Sequence, residues 1–525
     1  MRNARAARRL GAVQYPIVEG RWPGSVDLLI NMMRRLEGEY TTDYMAELAE
    51  EYGPTYIIRI LWDDEVITIE PRHIKQILVN NFPNYIKGEE FNIATRAVLG
   101  SGVFNADNQV WKFHRAMARP FFTRERITDF DIFARHADKI IQKMKDNFSA
   151  GNPIDIQDAM GRFTLDSAAE FLFGAALDSI SESFILANDK PPTQAKDRSM
   201  HFTSSAFIRA VRDTQQLIAR RLWLGPIWMI TEMFGDNSTM PMKDINKFLG
   251  PILEDALSRN QDVTEAPNEI GSDTTFLEHM ISQTKDRVVL RDSIMNMLTA
   301  GREPITCTIA FLTYMLSQHP KVLGRLREEI LHVVGPLKVP QYDDIRSLRY
   351  LRAVINETLR LFPPVPMNLR CTVNEDVWTD ADGKRYYIPP NITVGYIVLL
   401  MHRDRGYWGE DALEFDPDRW FDPRMQKVLK EPFIFLPFNA GHESAWVNRF
   451  FAYNEISFMI IRLLQSFSSI ELRPEAQPKG TLPPSDWPVR DRNQVEKIWP
   501  RSHVTLYSEG GLWLTMDEAA LGGEL

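Results

Sequence analysis

From Leu290 to Gln318 the chain carries one long helical pattern, and whatever it folds into must be built around that rod. Ile294, Met297, Leu298, Ile305, Ile309, Leu312 and Leu316 recur at helical spacing, and His319-Pro320 ends the run. At ~1.5 Å per residue a helix of this length crosses a whole domain. From Pro71 onward the surrounding pattern is mostly helical too. A second helix covers about Tyr350 to Leu361 and stops at Phe362-Pro363-Pro364; the last runs from Phe450 to about Phe467. The β-rich runs are short. Tyr56–Trp62 and Val66–Ile69 read as a hairpin around Asp63-Asp64-Glu65. Tyr386–Ile388, Val394–Val398, His503–Tyr507 and Leu512–Met516 read as further strands. Polar stretches at 189–198 and 258–274 read as surface loops, because apolar periodicity resumes on either side. The expected fold class is mainly α with a small β region.

Composition excludes several functions. The 525 residues are 44% hydrophobic, enough for a large core, and carry a net charge of -9. That balance argues against a nucleic-acid partner, since phosphate binding wants concentrated Lys and Arg. Two cysteines, Cys307 and Cys371, cannot form a disulfide framework, which points to a reducing compartment. No segment reaches the ~18 apolar residues of a membrane span. The N-terminus is basic, with Arg2, Arg5, Arg8 and Arg9; a transit peptide is a weak reading, since no serine precedes Ser25, and a basic stretch beside a membrane is the blander one. Pro16 and Arg21-Trp22-Pro23-Gly24 resemble a hinge. Residues 1–49 are therefore expected to be a basic, hinge-like segment without an anchor, and 50–525 a single domain. A soluble protein, a peripheral one, and a start downstream of the true N-terminus all stay open.

Glu357 and Arg360 stand three apart on a helix and share a face. Such a pair alone is usually a solvated ion pair of little worth. Further on comes Phe415-Asp416-Pro417-Asp418-Arg419-Trp420, then Phe435-Leu436-Pro437-Phe438-Asn439-Ala440-Gly441, then an apolar helix carrying Ala452 and Glu455. In this order and spacing the motifs resemble those of cytochromes P450, the haem-thiolate monooxygenases. The resemblance runs from about residue 50 to the C-terminus. It is closest to fungal members that oxidise alkanes, fatty acids and aromatic xenobiotics.

The resemblance implies the cytochrome P450 fold, haem b, and hydroxylation of a lipophilic substrate with dioxygen and electrons from NADPH-cytochrome P450 reductase. It implies the endoplasmic reticulum surface as location, although without an anchor a cytoplasmic protein stays open. Glu357, Arg360 and Arg419 would form a buried triad, two cations about one carboxylate. Trp111, Arg115 and Arg370 would donate to the haem propionates. Phe438 and Gly441 would belong to the loop that brings the iron its ligand. Val103, Phe104 and Val365–Met367 are pocket candidates, with core packing an equal account.

Two departures stand out. The family's long helix carries an acid and a threonine that relay protons. Here Ala300-Gly301-Arg302-Glu303-Pro304-Ile305-Thr306 keeps the acid, Glu303, but has proline in the threonine position. Proline removes the bond to the Ala300 carbonyl and favours a kink. Thr306 lies about 200° around the helix from position 304, and Thr308 a turn too far along.

The second departure is graver. Counting from Gly441, the cysteine slot falls at Ala445, and Glu443 stands where the family has a propionate-binding arginine. His442 is the one candidate replacement ligand; imidazole does bind haem iron, but a loop histidine is more often a surface residue. A reading-frame shift accounts for the whole segment. Related fungal sequences read roughly Gly-Pro-Arg-Ile-Cys-Leu-Gly-Gln-Gln here, one coding of which is GGC CCA CGA ATC TGC CTG GGT CAA CAG. Loss of one C from the proline codon gives GGC CAC GAA TCT GCC TGG GTC AAC AG. That reads Gly-His-Glu-Ser-Ala-Trp-Val-Asn, which is Gly441 to Asn448, with Arg449 allowed next. A misplaced exon boundary or a sequencing error produces such a segment, and so does a double frameshift in the gene. Without the thiolate the chain as written is expected to be impaired. The alternatives are a haem-free pseudoenzyme that binds a lipophilic ligand, and a His442-ligated haem protein.

Overall fold

Asp286 starts the long helix. Its carboxylate accepts the N–H groups of Val288 and Val289 at 2.8 and 3.3 Å, pairing donors that a helix start otherwise leaves open. The helix then runs without interruption from Arg287 to Gln318, through Pro304, where the sequence favoured a kink. The structure is a computed structural model. It describes residues 2–122, 130–174, 177–185, 204–259, 274–443 and 446–520 apart from 486, 488, 489 and 491. The stretch 189–198 and most of 258–274, expected as loops, lie outside the described residues.

The chain forms two compact units. The first takes Met1–Asn92, Leu359–Trp446 and Pro483–Ser502; the second takes Ile93–Thr358, Val447–Leu482 and His503–Leu525.

The first unit is organised by a sheet. Its described strands run in the order Ile17–Val18, Thr55–Ile60, Asp63–Thr68, Thr393–Ile397, Met367–Thr372, Tyr85–Ile86. The first hairpin exists, but it turns at Leu61-Trp62 rather than around Asp63-Asp64-Glu65: Ile60 pairs with Asp63, and both turn residues have positive φ, 51° and 68°. Such a two-residue turn matches the twist of its strands. It frees the acids to lie along the strand, where Asp64 pairs with Arg59 opposite. The segment expected as a hinge is built into this unit. Arg2–Arg9 is a helix whose Ala7 packs with Ala12 and Tyr387, and Ile17–Val18 is the edge strand beside Thr55–Ile60. Gly24, at φ 68°, accepts the Leu61 N–H at 2.7 Å, so the Arg-Trp-Pro-Gly run buttresses the hairpin tip.

The second unit is helical. The long helix packs on Ile156–Phe173, itself buried along most of its length. The core about them gathers Phe121, Leu165, Ala169, Phe207, Ile245, Phe276, Leu290 and Leu298, each at most 2% exposed. The second predicted helix is Arg349–Leu361, and the last starts earlier than expected, at Trp446, ending at Ser466. In the tail, Leu506–Ser508 and Trp513–Thr515 are strands, but 503–505 is not extended as expected. Trp513–Thr515 pairs with Glu471–Leu472 and Ile154–Asp155. Among the described residues no helix is long and apolar enough to cross a membrane.

Candidate active site

In the first unit, two of the three predicted triad residues hold one segment of backbone. Arg360 is fully buried. Its Nη1 donates to the carbonyls of His402, at 3.0 Å, and Ala412, and its Nη2 donates to that of Glu414 at 2.9 Å. Arg419 donates to the Asp411 carbonyl at 2.9 Å, to the Asp411 carboxylate at 3.2 Å and to the Trp408 carbonyl at 3.4 Å. A guanidinium serves several carbonyls at once because its five donors are spread in a plane. The two arginines therefore staple residues 402–414, the stretch that leads toward the loop. Glu357, the third member, is fully buried as well, in the second unit.

The leading flank of the loop is well defined. Leu436 donates its N–H to His402 Nε2 at 2.8 Å. Phe435 packs on His402 and Trp420, with ring centroids 5.3 and 4.8 Å away. Asn439 turns the chain in the left-handed region, at φ 61°, and donates its N–H to the Leu436 carbonyl at 3.1 Å. Its Oδ1 accepts the Ala440 N–H at 2.9 Å and the Tyr396 hydroxyl at 3.2 Å. Phe438 lies half-buried on this turn. Gly441 follows at φ 74°, where a Cβ would stand 2.1 Å from the Leu78 carbonyl oxygen, so only glycine fits. Arg370 is buried on the strand Met367–Thr372, its Nη1 donating to the Leu369 carbonyl at 2.6 Å.

The loop's own tip is described only in part. Gly441–Glu443 is one 3₁₀ turn, and His442 is exposed, its ring 5.0 Å from that of Phe82. The Glu443 side chain and Ala445 lie outside the described residues.

In the second unit, Trp111 and Arg115 lie on the helix Asn108–Ala118, with the guanidinium over the indole ring at 5.4 Å. Glu303 is paired with its neighbour Arg302, which also donates to the Gly161 carbonyl at 3.3 Å. The Thr306 hydroxyl bonds to that of Thr164 at 2.7 Å, and the Thr308 hydroxyl donates to the Pro304 carbonyl at 2.7 Å. Phe104, a pocket candidate, is 37% exposed and donates its N–H to Asn296 at 2.9 Å.

The donor set suits a haem only in part. Trp111, Arg115 and Arg370 are the hydrogen-bonding and cationic groups that propionates require. The iron side does not fit a thiolate: Cys307 and Cys371 lie elsewhere in the sequence, and the loop's imidazole packs on a phenylalanine at the surface. Sequence reading missed His402, Asn439 and Leu78. Asn before Ala-Gly was a turn signal; a histidine after the apolar run Val398–Met401 was a weaker one.

The fold is mainly helical with a small mixed sheet, and in the first unit two buried arginines staple the approach to a glycine-locked loop. The cytochrome P450 family model matches residues 23–489. The chain is 33% identical to Cytochrome P450 52A10 of Candida maltosa over 433 residues, 80% of this chain and 79% of that one. It is 30% identical to Cytochrome P450 52-M1 of Starmerella bombicola over 486 residues, 90% and 88% of the two chains. With Cytochrome P450 52A12 of Debaryomyces hansenii the identity is 29% over 481 residues, 90% and 89% of the two. This chain belongs to the cytochrome P450 family, and its type of activity is haem-dependent monooxygenation of lipophilic substrates.

Proposed function

We propose that this chain is the framework of a fungal monooxygenase that hydroxylates an alkane, fatty acid or similar lipophilic molecule. Electrons come from NADPH-cytochrome P450 reductase at the endoplasmic reticulum surface, and the chain as written is blocked at its iron ligand. The observation that carries the second half is the sequence of the loop: a complete leading flank ends at Gly441, and no cysteine follows. The haem would supply the dioxygen chemistry. Trp111, Arg115 and Arg370 would hold its carboxylates, Phe438 and Gly441 would shape the loop, and Glu357, Arg360 and Arg419 would brace it. Glu303 would carry protons once released from Arg302.

The displaced reading frame accounts for this combination. A gene decaying freely would lose its flanks along with its ligand, yet Asn439, Gly441, Ala452 and Glu455 are all in place. Sequencing the transcript across codons 435–455 tests it. A misplaced exon boundary or a sequencing error expects the in-frame Gly-Pro-Arg-Ile-Cys segment; an in-frame message for His442 to Arg449 contradicts both, leaves a double frameshift in the gene, and makes the chain a haem-poor pseudoenzyme that keeps a lipophilic ligand. The packing of His442 on Phe82 speaks against the third reading, ligation by that imidazole.

A further inference from the structure

We infer that His402 is the positioning residue of the loop, holding the Leu436 amide through its imidazole and the Arg360 guanidinium through its backbone carbonyl. The two bonds are 2.8 and 3.0 Å long. They join elements far apart in sequence: the last turn of the helix Arg349–Leu361 and the first residues of the loop.

His402 is held through its backbone and through Nε2. Its own N–H bonds to the Val398 carbonyl at 2.9 Å, one turn back along Val398–Met401. Its ring clusters with those of Phe435, at 5.3 Å, and Trp408, at 6.4 Å, and the residue has no exposed surface. Leu436 is held from both sides: its N–H goes to His402, and its carbonyl accepts the Asn439 N–H at 3.1 Å. Displacing Leu436 would therefore move the turn that carries Asn439 and Gly441, and Gly441 has no slack against Leu78.

The bond dictates a protonation state. An N–H donor at Nε2 requires that nitrogen to be bare, so the proton of the neutral ring sits on Nδ1, which faces the Leu359 and Arg360 backbone without a hydrogen bond of good geometry among the described residues. Burial, and then the charge of Arg360, hold the imidazole pKa down to about 3, against the pull of the Leu359 and Arg360 backbone. The ring is thus a permanent acceptor at working pH. A lysine or arginine here would clash with Arg360, and an aliphatic residue would leave the buried Leu436 N–H unpaired.

The inference rests on reading 435–441 as the leading flank of the haem-ligand loop, but its tests read the loop alone. Nitrogen NMR of the full-length chain, labelled at histidine, should show one ring with Nδ1 protonated and Nε2 bare and hydrogen-bonded. A His402 ring with its proton on Nε2 overturns the proposal, even if no variant folds. Amide exchange supplies the second test. In His402→Phe, peptides covering Leu436–Ala440 should exchange about tenfold faster, the effect of one lost buried hydrogen bond, while the strands Thr55–Ile60 and Asp63–Thr68 stay unchanged. His402→Gln, whose amide oxygen can take the place of Nε2, should restore most of the protection. Unchanged exchange in His402→Phe, or no rescue by a folded His402→Gln, contradicts it. Failure of a restored ligand loop to bind haem would leave these results untouched and would count against the proposed function instead.

Discussion

The hydroxyls of Thr306 and Thr164 lie 2.7 Å apart on two buried helices. Thr306, the nearest hydroxyl in sequence to the family's proton-relay position, is thereby turned to a structural use. Thr308 is occupied by the Pro304 carbonyl, and Pro304 offers neither hydroxyl nor N–H. Restoring the iron ligand therefore does not restore the relay. In a chain with its loop returned to frame, NADPH oxidation should release mostly peroxide. Adding Pro304→Thr should raise product formed per NADPH by about tenfold or more, the usual scale of a positioned proton donor. Product and peroxide measured in the same reaction check this; tight coupling with Pro304 in place contradicts it.

Gly441→Ala should damage the loop whether or not a ligand is present. Its φ of 74° disfavours any L side chain, and the new methyl would stand 2.1 Å from backbone, the Leu78 carbonyl oxygen. A loss of about 3 kcal/mol is expected from strain and overpacking together. Urea unfolding of the full chain measures it.

Arg360→Lys is not conservative here. Lysine is a point charge that cannot reach the carbonyls of His402, Ala412 and Glu414 together. Buried acceptors left unpaired cost about 3–5 kcal/mol in sum. The variant should lose its cooperative thermal transition or fail to accumulate as soluble protein.

Glu455 gives the chain a pH signature. Burial pushes its carboxyl well above the usual range, and its Oε1 has no hydrogen-bond partner among the described residues. A raised folded pKa means the native state holds this proton after the unfolded chain has released it. The stability it confers is full below the ordinary glutamate pKa of about 4.3 and is lost as pH rises through the raised value. Glu455→Gln should therefore raise the melting temperature at pH 8 and leave it nearly unchanged at pH 4. Equal shifts at both pH values would contradict this.

The long helix, the helix bearing Glu357 and Arg360, and the strands Arg385–Ile388 and Thr393–Ile397 were legible because apolar periodicity and Pro breaks marked them. The turn at Leu61-Trp62 was not: nothing in two bulky residues announces positive φ, while three acids nearby advertise a loop. The strand within residues 1–49 was hidden for a related reason. Proline and glycine signal a bend, and only tertiary pairing with Thr55–Ile60 makes Ile17–Val18 a strand. In the site, the arginines and Gly441 were singled out by the family resemblance, not by residue type alone. Neither could give His402, whose role depends on a bond across 34 residues of sequence.

The reduced, carbon-monoxide-bound spectrum of the purified full-length chain, supplied with haem, tests the central claim most directly. The chain as written should show no far-red, thiolate-type Soret band. The same chain with Gly-Pro-Arg-Ile-Cys-Leu-Gly-Gln-Gln in place of residues 441–450, which also removes the one extra phenylalanine of the shifted segment, should show it. A far-red band from the chain as written would contradict the account.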